Sequence, residues 1–301
     1  IIYFNSPTIF CTYLNEIPFV INIYELQHRT DNYFPEYRKS SHSLDKRDDI
    51  IIHAVKKAFK IILATKKDKI FLKELYNSYD GNINIQPYVP QLPNLYENEY
   101  KSDDFNKIFN FLNISGKKLF LYPAQFWAHK NHKYLVDIVK LLKKKGREDI
   151  KIILTGHDKG NKEYIKKLVK AENLTDSFYI LEYVSDKDLI SLYLNSSALI
   201  MPTFVGHSSL PLYEAFYFKL PVFFTKNLLD DTLKDLVYEI DIYNPQDFID
   251  KLEDFGNNEK MKNDKLEKGK TFYNKNCSKT KLFKNLSEIF KEYEYLKERW
   301  S

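Results

Sequence analysis

Short apolar runs alternate with stretches of helical period along most of the chain. Runs of four to six residues rich in Val, Ile, Leu and Phe, bounded by turn residues, read as strands buried on both faces. The intervening segments place apolar residues three or four apart, as a helix does. The first series has strands at Ile1–Phe4, Phe19–Ile23, Lys60–Ala64 and Ile83–Gln86, the last closed by Pro87, with helices predicted over 49–59 and 66–76. A second series opens with strand 118–122 and continues through helix 132–145, strand 150–155, helix 162–172, strand 178–181, helix 186–195, strand 198–201, helix 210–218 and strand 222–225. This repetition predicts βαβ units, so the expected fold class is α/β with two open parallel sheets, the second complete within 117–245.

Between the two series, Pro90, Pro93 and a polar, aromatic-rich stretch read as a linker holding one short helix over 103–112. The expected division is a partial Rossmann-like domain over 1–95, a linker over 96–116, a second domain over 117–275 and a C-terminal helix over 276–301. The tail is rich in Lys and Glu, with an apolar stripe of Leu282, Phe283, Leu286, Ile289, Phe290 and Tyr293 that reads as a packing face. The chain opens on Ile1 inside a strand already in progress, so an upstream segment is expected.

At 301 residues two ordinary domains fit. Forty-six Lys and Arg against 41 Asp and Glu leave a dispersed net charge of +5, which does not mark a dedicated nucleic-acid binder. Cys11 and Cys277 lie far apart with no His or Cys at metal-ligand spacing, which suits a reducing compartment and no structural zinc. No run reaches the ~18 apolar residues that a membrane-spanning helix needs, so a cytoplasmic location is expected. A cluster of Lys56, Lys57, Lys60, Lys66, Lys67 and Lys69, interleaved with Phe59 and Ile70, leaves room for peripheral contact with the inner face of the cytoplasmic membrane. Asp68 and Glu74 interrupt it, so solvated helix faces are the favoured reading. The pairs Asp48-Asp49 and Asp230-Asp231 read as helix-start charges.

Candidate chemistry concentrates at Met201–Val222. A buried strand meets the loop Gly206-His207-Ser208-Ser209, and Leu210-Pro211 opens a helix, since Pro in the first turn loses no hydrogen bond. The amides of Ser208, Ser209 and Leu210 would form an anion cradle, helped by the helix dipole. Glu214 would repel a phosphate but can accept hydroxyl hydrogen bonds from a ribose beyond it; an ordinary loop followed by a solvated Glu is the alternative. Three more segments end at the same carboxyl edge of the sheet. In the loop 122–132, Lys130 could neutralise a diphosphate and Gln125 could donate an uncharged hydrogen bond to it. At the next strand end, Gly156 permits close backbone approach beside His157. Beyond Glu182, Tyr183 and Val184 could frame a nucleobase, with Ser185 capping the following helix. Solvated lysine, satisfied loop histidine and core aromatics are the plain alternatives.

Tyr122-Pro-Ala-Gln-Phe-Trp127, His129-Lys-Asn-His132, Thr155-Gly156, Tyr183-Val-Ser-Asp186, Pro202-Thr203, Leu210-Pro-Leu-Tyr-Glu-Ala215 and Pro221-Val222, in this order, resemble the donor-binding domain of family 4 glycosyltransferases. The likeness is to mannosyl- and rhamnosyltransferase-like members of bacterial polysaccharide pathways. It covers 117–245; a weaker likeness to the acceptor-side domain runs through Ile17-Pro-Phe-Val20, Tyr24-Glu-Leu-Gln-His-Arg29 and Phe34-Pro35. The resemblance implies a GT-B architecture of two Rossmann-like domains facing a cleft, the first incomplete here. It implies retaining hexosyl transfer from a nucleoside-diphosphate sugar to a glycan or lipid-linked acceptor in surface polysaccharide synthesis, with no metal, no cofactor and no nucleic-acid partner. Lys130 would hold the diphosphate, Glu214 the ribose, Tyr183 and Val184 the base, and Gly206, His207, Ser208, Ser209 and Leu210 the sugar and phosphates. Gln125 stands where many members carry Arg, and Gly206 where many carry Glu. Tyr24-Glu25 stands where many carry His-Asp, so the role of that His would pass to Tyr24, Glu25 or His28. These departures support an alternative, a non-catalytic GT-B scaffold that binds a nucleotide sugar or glycan. A nucleotide-sugar epimerase on the same fold is weaker, because no acidic catalysts for it can be identified.

Overall fold

The structure, a computed structural model, describes residues 1–38, 41–100 and 117–300. The short helix expected over 103–112 lies outside the described residues. The chain divides into two compact units, one formed by 1–89, 206–208 and 275–301, the other by 90–205 and 209–274.

The first unit holds a parallel sheet of β1 (Ile2–Phe4), β2 (Phe19–Asn22), β3 (Lys60–Leu63) and β4 (Ile83–Ile85), in that order. Successive side chains of a strand point to opposite faces, and both faces are covered. On one, Phe19, Ile21, Ile61 and Leu63 pack with Ile51, Ala54 and Leu72 of the helices Ser41–Lys57 and Lys66–Tyr76. On the other, Val20 and Ile62 meet Ile289, with Leu286, Phe290 and Phe59 beside them. The apolar stripe of the tail therefore serves as a packing face for this sheet, carried by the helix Lys279–Lys297. Phe283 departs from it, at 67% exposed.

The helix Ser41–Lys57 starts eight residues before the expected position, so Asp48 is not a helix-start charge. It lies mid-helix, where Arg29 donates to both of its carboxylate oxygens at 3.0 Å. Asp230, by contrast, does cap a helix, accepting the Thr232 N–H at 3.0 Å. The helix Lys66–Tyr76 opens with a reciprocal capping box between Thr65 and Asp68, and ends at Asn77 in the left-handed conformation.

The second unit holds β5 (Lys118–Pro123), β6 (Ile150–Thr155), β7 (Phe178–Leu181), β8 (Ala198–Met201), β9 (Val222–Thr225) and β10 (Tyr238–Ile240). They are parallel, in the order β10-β9-β8-β5-β6-β7. The expected strands recur, and β10 and the helix Pro245–Asn257 extend the series. The helix His132–Lys144 covers the sheet with Tyr134, Leu135, Ile138, Val139 and Leu142. Part of the expected linker is helical: Leu92 and Pro93 are buried in a short helix, and Tyr96 sets its ring edge against Phe218 at 5.6 Å. The fold is thus α/β with two Rossmann-like parallel sheets. In the second, β6 and β7 are laid down on one side of β5 and β8 to β10 on the other, which puts a topological switch point between β5 and β8.

Candidate functional site

Loops leaving adjacent strands on either side of a switch point turn to opposite faces of the sheet and open a crevice at its carboxyl edge. Here those loops carry Lys130 and Ser209. The loop after β5 turns through a short helix, Ala128–Lys130, and ends at Asn131 in the left-handed region, which Asn tolerates. Its backbone is pinned on two sides. The Tyr122 hydroxyl donates to the Lys130 carbonyl at 2.9 Å. The His129 carbonyl receives the Phe204 N–H at 2.9 Å and the Thr203 hydroxyl at 3.2 Å, both from the loop after β8. Across the crevice, Ser209 caps the helix Leu210–Phe218 by accepting the Leu212 N–H at 3.2 Å, and Pro211 lies in the first turn. The N–H groups of Ser209 and Leu210 donate to no described residue. They carry the partial positive charge of the helix end.

Glu214 follows one turn later and is only 7% exposed, which excludes the solvated alternative. Its Oε2 accepts the Tyr193 hydroxyl at 2.7 Å. Its Oε1 has no hydrogen bond among the described residues and is not sealed from solvent. Burial pushes the carboxyl up to about 7, opposed by the Tyr193 hydrogen bond and assisted by the charge of Asp186. A carboxylate so placed can accept a hydroxyl, and the unpaired amides of a helix start can hold an anion.

Gly156 allows a close approach, but to the chain's own backbone: a Cβ there would lie 2.4 Å from the Ala124 carbonyl oxygen. This contact lets the loops after β5 and β6 join, with the Phe126 N–H donating to the His157 carbonyl at 3.0 Å. Gln125 is exposed, and its side-chain carbonyl accepts the Trp127 indole N–H at 2.9 Å, which turns its amide NH2 outward as the remaining donor. Tyr183 is 70% exposed and stacks on His157 at 5.7 Å, giving a flat aromatic surface over the ends of β6 and β7. Val184 beside it is half-buried. The strand ends are tied by the Thr155 hydroxyl, which donates to the Glu182 carbonyl at 3.0 Å. Buried Lys162 adds a bond to the Leu181 carbonyl at 3.2 Å and an ion pair with Glu182 at 2.8 Å. His132 is a buried core residue stacked on Phe126, and burial holds its pKa down at about 3.

The remaining candidates belong to the first unit. Gly206 has φ +107, a conformation that a Glu would adopt only with strain. His207 is 3% exposed, with Nδ1 2.8 Å from the Asp68 carboxylate and its ring edge-on to Phe71 at 4.7 Å, so its side chain is committed to that contact. Ser208 hydrogen-bonds Tyr88. Tyr24 is 39% exposed and donates its hydroxyl to the Asn5 carbonyl. Glu25 accepts the His28 N–H at 2.8 Å and the Tyr37 hydroxyl at 3.1 Å, and pairs with Arg47. The expectation that His28 could take over a catalytic role meets a physical obstacle. The ring is 2% exposed, with Nε2 held 3.0 Å from Asp48 and 3.2 Å from the Tyr76 hydroxyl.

Sequence reading missed Tyr193, Thr203, Trp127 and Lys162. Tyr193 and Lys162 sit on amphipathic helices where an aromatic or a Lys carries no motif, and only the fold brings Tyr193 to Glu214 across 21 positions. Trp127 and Thr203 lie within the quoted segments, but their roles are bonds to the backbone or to Gln125 that spacing does not reveal. Among the described residues no three His, Cys, Asp or Glu side chains gather as metal ligands would, and no helix is long and apolar enough to cross a membrane.

Residues 104–272, more than half of the chain, match the family of glycosyl transferases group 1. No curated protein sequence matches the chain. Among solved structures, HepE of Anabaena in complex with UDP-glucose superposes with a TM-score of 0.73 at 12% identity, covering 93% of this chain and 74% of that one. A glycosyltransferase from Rickettsia africae gives 0.72 at 16% identity, covering 97% and 76%. WaaG, a glycosyltransferase involved in lipopolysaccharide biosynthesis, gives 0.67 at 14% identity, covering 91% and 73%. At these identities the likeness establishes the fold, which is the GT-B class. With the family match spanning both loops of the switch point and Glu214, the chain belongs to the group 1 glycosyl transferases.

Proposed function

We propose that this glycosyltransferase moves a hexosyl group, with retention, from a nucleoside-diphosphate sugar to a glycan or lipid-linked acceptor in surface polysaccharide synthesis. A mannosyl- or rhamnosyl-type donor is the favoured class. The observation that supports the reading is the tie between the loops of the β5/β8 switch point, where Thr203 and Phe204 bond the His129 carbonyl beside Lys130, together with the unpaired helix start at Ser209–Leu210 and buried Glu214 one turn beyond it. As the bond from the anomeric carbon to the donor phosphate breaks, negative charge grows on the departing diphosphate. A lysine and unpaired amides stabilise that charge more than the ground state, which is what lowers a barrier. Glu214 Oε1 accepts the ribose hydroxyls, and the Tyr183–His157 surface lies against the base. Structural neighbours crystallised with UDP and UDP-glucose lend support to a nucleotide-sugar donor. Lys130 and the helix start supply the charge that a divalent ion would otherwise carry, so transfer proceeds without a metal. Contact with a membrane surface is a minor part of the reading, because Lys60 is buried and paired with Glu292, and Lys69 and Lys73 are paired with Asp80.

Lys130→Ala lowers transfer about 100- to 1,000-fold, as loss of one preorganised charge donor does. The assay is sugar transfer from a panel of nucleoside-diphosphate sugars, and unchanged turnover and donor affinity in this variant would overturn the reading. One observation favours a second reading, a scaffold that binds donor without turnover: Gln125 brings no charge and its carbonyl is engaged by Trp127. Donor binding without transfer or hydrolysis would select it.

A further inference from the structure

Tyr193 is 1% exposed on the helix Asp186–Asn195, and its ring stacks on Phe218 with centroids 5.5 Å apart and planes 20° from parallel. The ring is held, so the hydroxyl has one direction, and it donates to Glu214 Oε2 at 2.7 Å. A buried phenol needs an acceptor and a buried carboxylate needs donors, so each offsets the other's loss of water. We propose that Tyr193 is a positioning residue for nucleotide recognition: by occupying Oε2 it fixes Glu214 so that Oε1 alone faces the ribose hydroxyls of the donor. The proposal rests on the nucleotide-sugar reading of the site.

The surroundings make that single hydrogen bond decisive. The charged group facing Glu214 from the Tyr193 helix is Asp186, which disfavours ionisation. The packed helix Leu92–Leu95 carries no ionisable side chain, and Glu97 beyond it accepts the Tyr217 hydroxyl. Lys270, from the helix Glu259–Asn276, donates to the Tyr217 carbonyl at 2.8 Å and lies over the Tyr217 ring. Glu214 makes no ion pair among the described residues, so Tyr193 is the partner that favours its ionised form. An ionised Oε1 rewards two hydroxyl donors, and a 2′-deoxyribose offers one fewer.

The test is calorimetric binding of uridine, guanosine and adenosine diphosphates and their 2′-deoxy counterparts to the full chain between pH 6 and 8.5. Wild type prefers the ribose form of whichever nucleotide it binds, by roughly tenfold, the worth of one hydrogen bond to a charged group. Tyr193→Phe loses most of that preference at pH 7 and regains it at higher pH, where Glu214 ionises without help. A purely structural role for Tyr193 would weaken both sugar forms alike at every pH, and that outcome overturns the proposal. Glu214→Ala, which removes both acceptor oxygens, abolishes the preference at all pH values. If it does so while Tyr193→Phe keeps the wild-type preference and pH profile, the positioning role fails and the site stands. If Glu214→Ala leaves the preference intact, or Lys130→Ala leaves diphosphate affinity intact, the reading of the site itself fails.

Discussion

Single residues in this site are set by what their neighbours leave them. Gly156 is required because the Ala124 carbonyl lies where a side chain would begin, and its φ of +150 is strained for any L residue. Gly156→Ala is therefore expected to cost about 2–4 kcal/mol, from overpacking and backbone strain together. Denaturant unfolding checks this, and a loss below about 0.5 kcal/mol, the level of an ordinary surface change, would refute the close approach. Glu214 holds its proton to about pH 7 in the folded chain, against an ordinary carboxyl value near 4.5. Between those values the folded state binds more protons than the unfolded one, so stability falls as pH rises through the window and levels off above it. Glu214→Gln removes that slope. Thermal unfolding of both proteins from pH 5 to 8 should give curves that converge toward low pH, and parallel curves would sink the assignment. The sequence singled out Lys130 through the resemblance of its loop and Glu214 as an acid one turn after a helix start. His28 and His207 were not legible in this way, since their partners, Asp48 and Asp68, come from helices 20 and 139 positions away.

At the level of elements, hydrophobic patterning predicted the strands well because parallel strands buried on both faces are continuous apolar runs. β10 escaped because Tyr-Glu-Ile is too short to show a period. The start of Ser41–Lys57 was misplaced because Asp48-Asp49 imitates a helix-start pair while Asp48 in fact answers Arg29 and His28. The tail stripe was legible as a packing face, but its target was not, since nothing local ties Ile289 to Val20 and Ile62. Ile289→Ala should cost about 2–5 kcal/mol as a core truncation, whereas Phe283→Ala, at an exposed position, should fall within about 0.5 kcal/mol of wild type. Equal losses in denaturant unfolding would show that the helix face is assigned wrongly.

For the whole molecule, the proposed retention and the proposed independence from metal are tested on the transfer reaction itself. Transfer should continue at undiminished rate with a chelator present, and the product should keep the anomeric configuration of the donor by NMR; loss of activity on chelation, restored by a divalent ion, would refute the metal-free reading. The sequence by itself determined the α/β class, the parallel sheets and the helix start at Leu210, because these depend on short-range periodicity, caps and turn chemistry; the glycosyltransferase likeness over the second sheet rested on the resemblance of its motifs. Tertiary structure alone decided the strand order that puts the switch point between β5 and β8, and the bonds from Phe204 and Thr203 that hold the Lys130 loop there. It likewise decided the burial of Glu214 under Tyr193 and the covering of the first sheet by the last helix. Those features join residues tens to hundreds of positions apart, and their energy comes from excluding water between surfaces that meet only once the chain has folded.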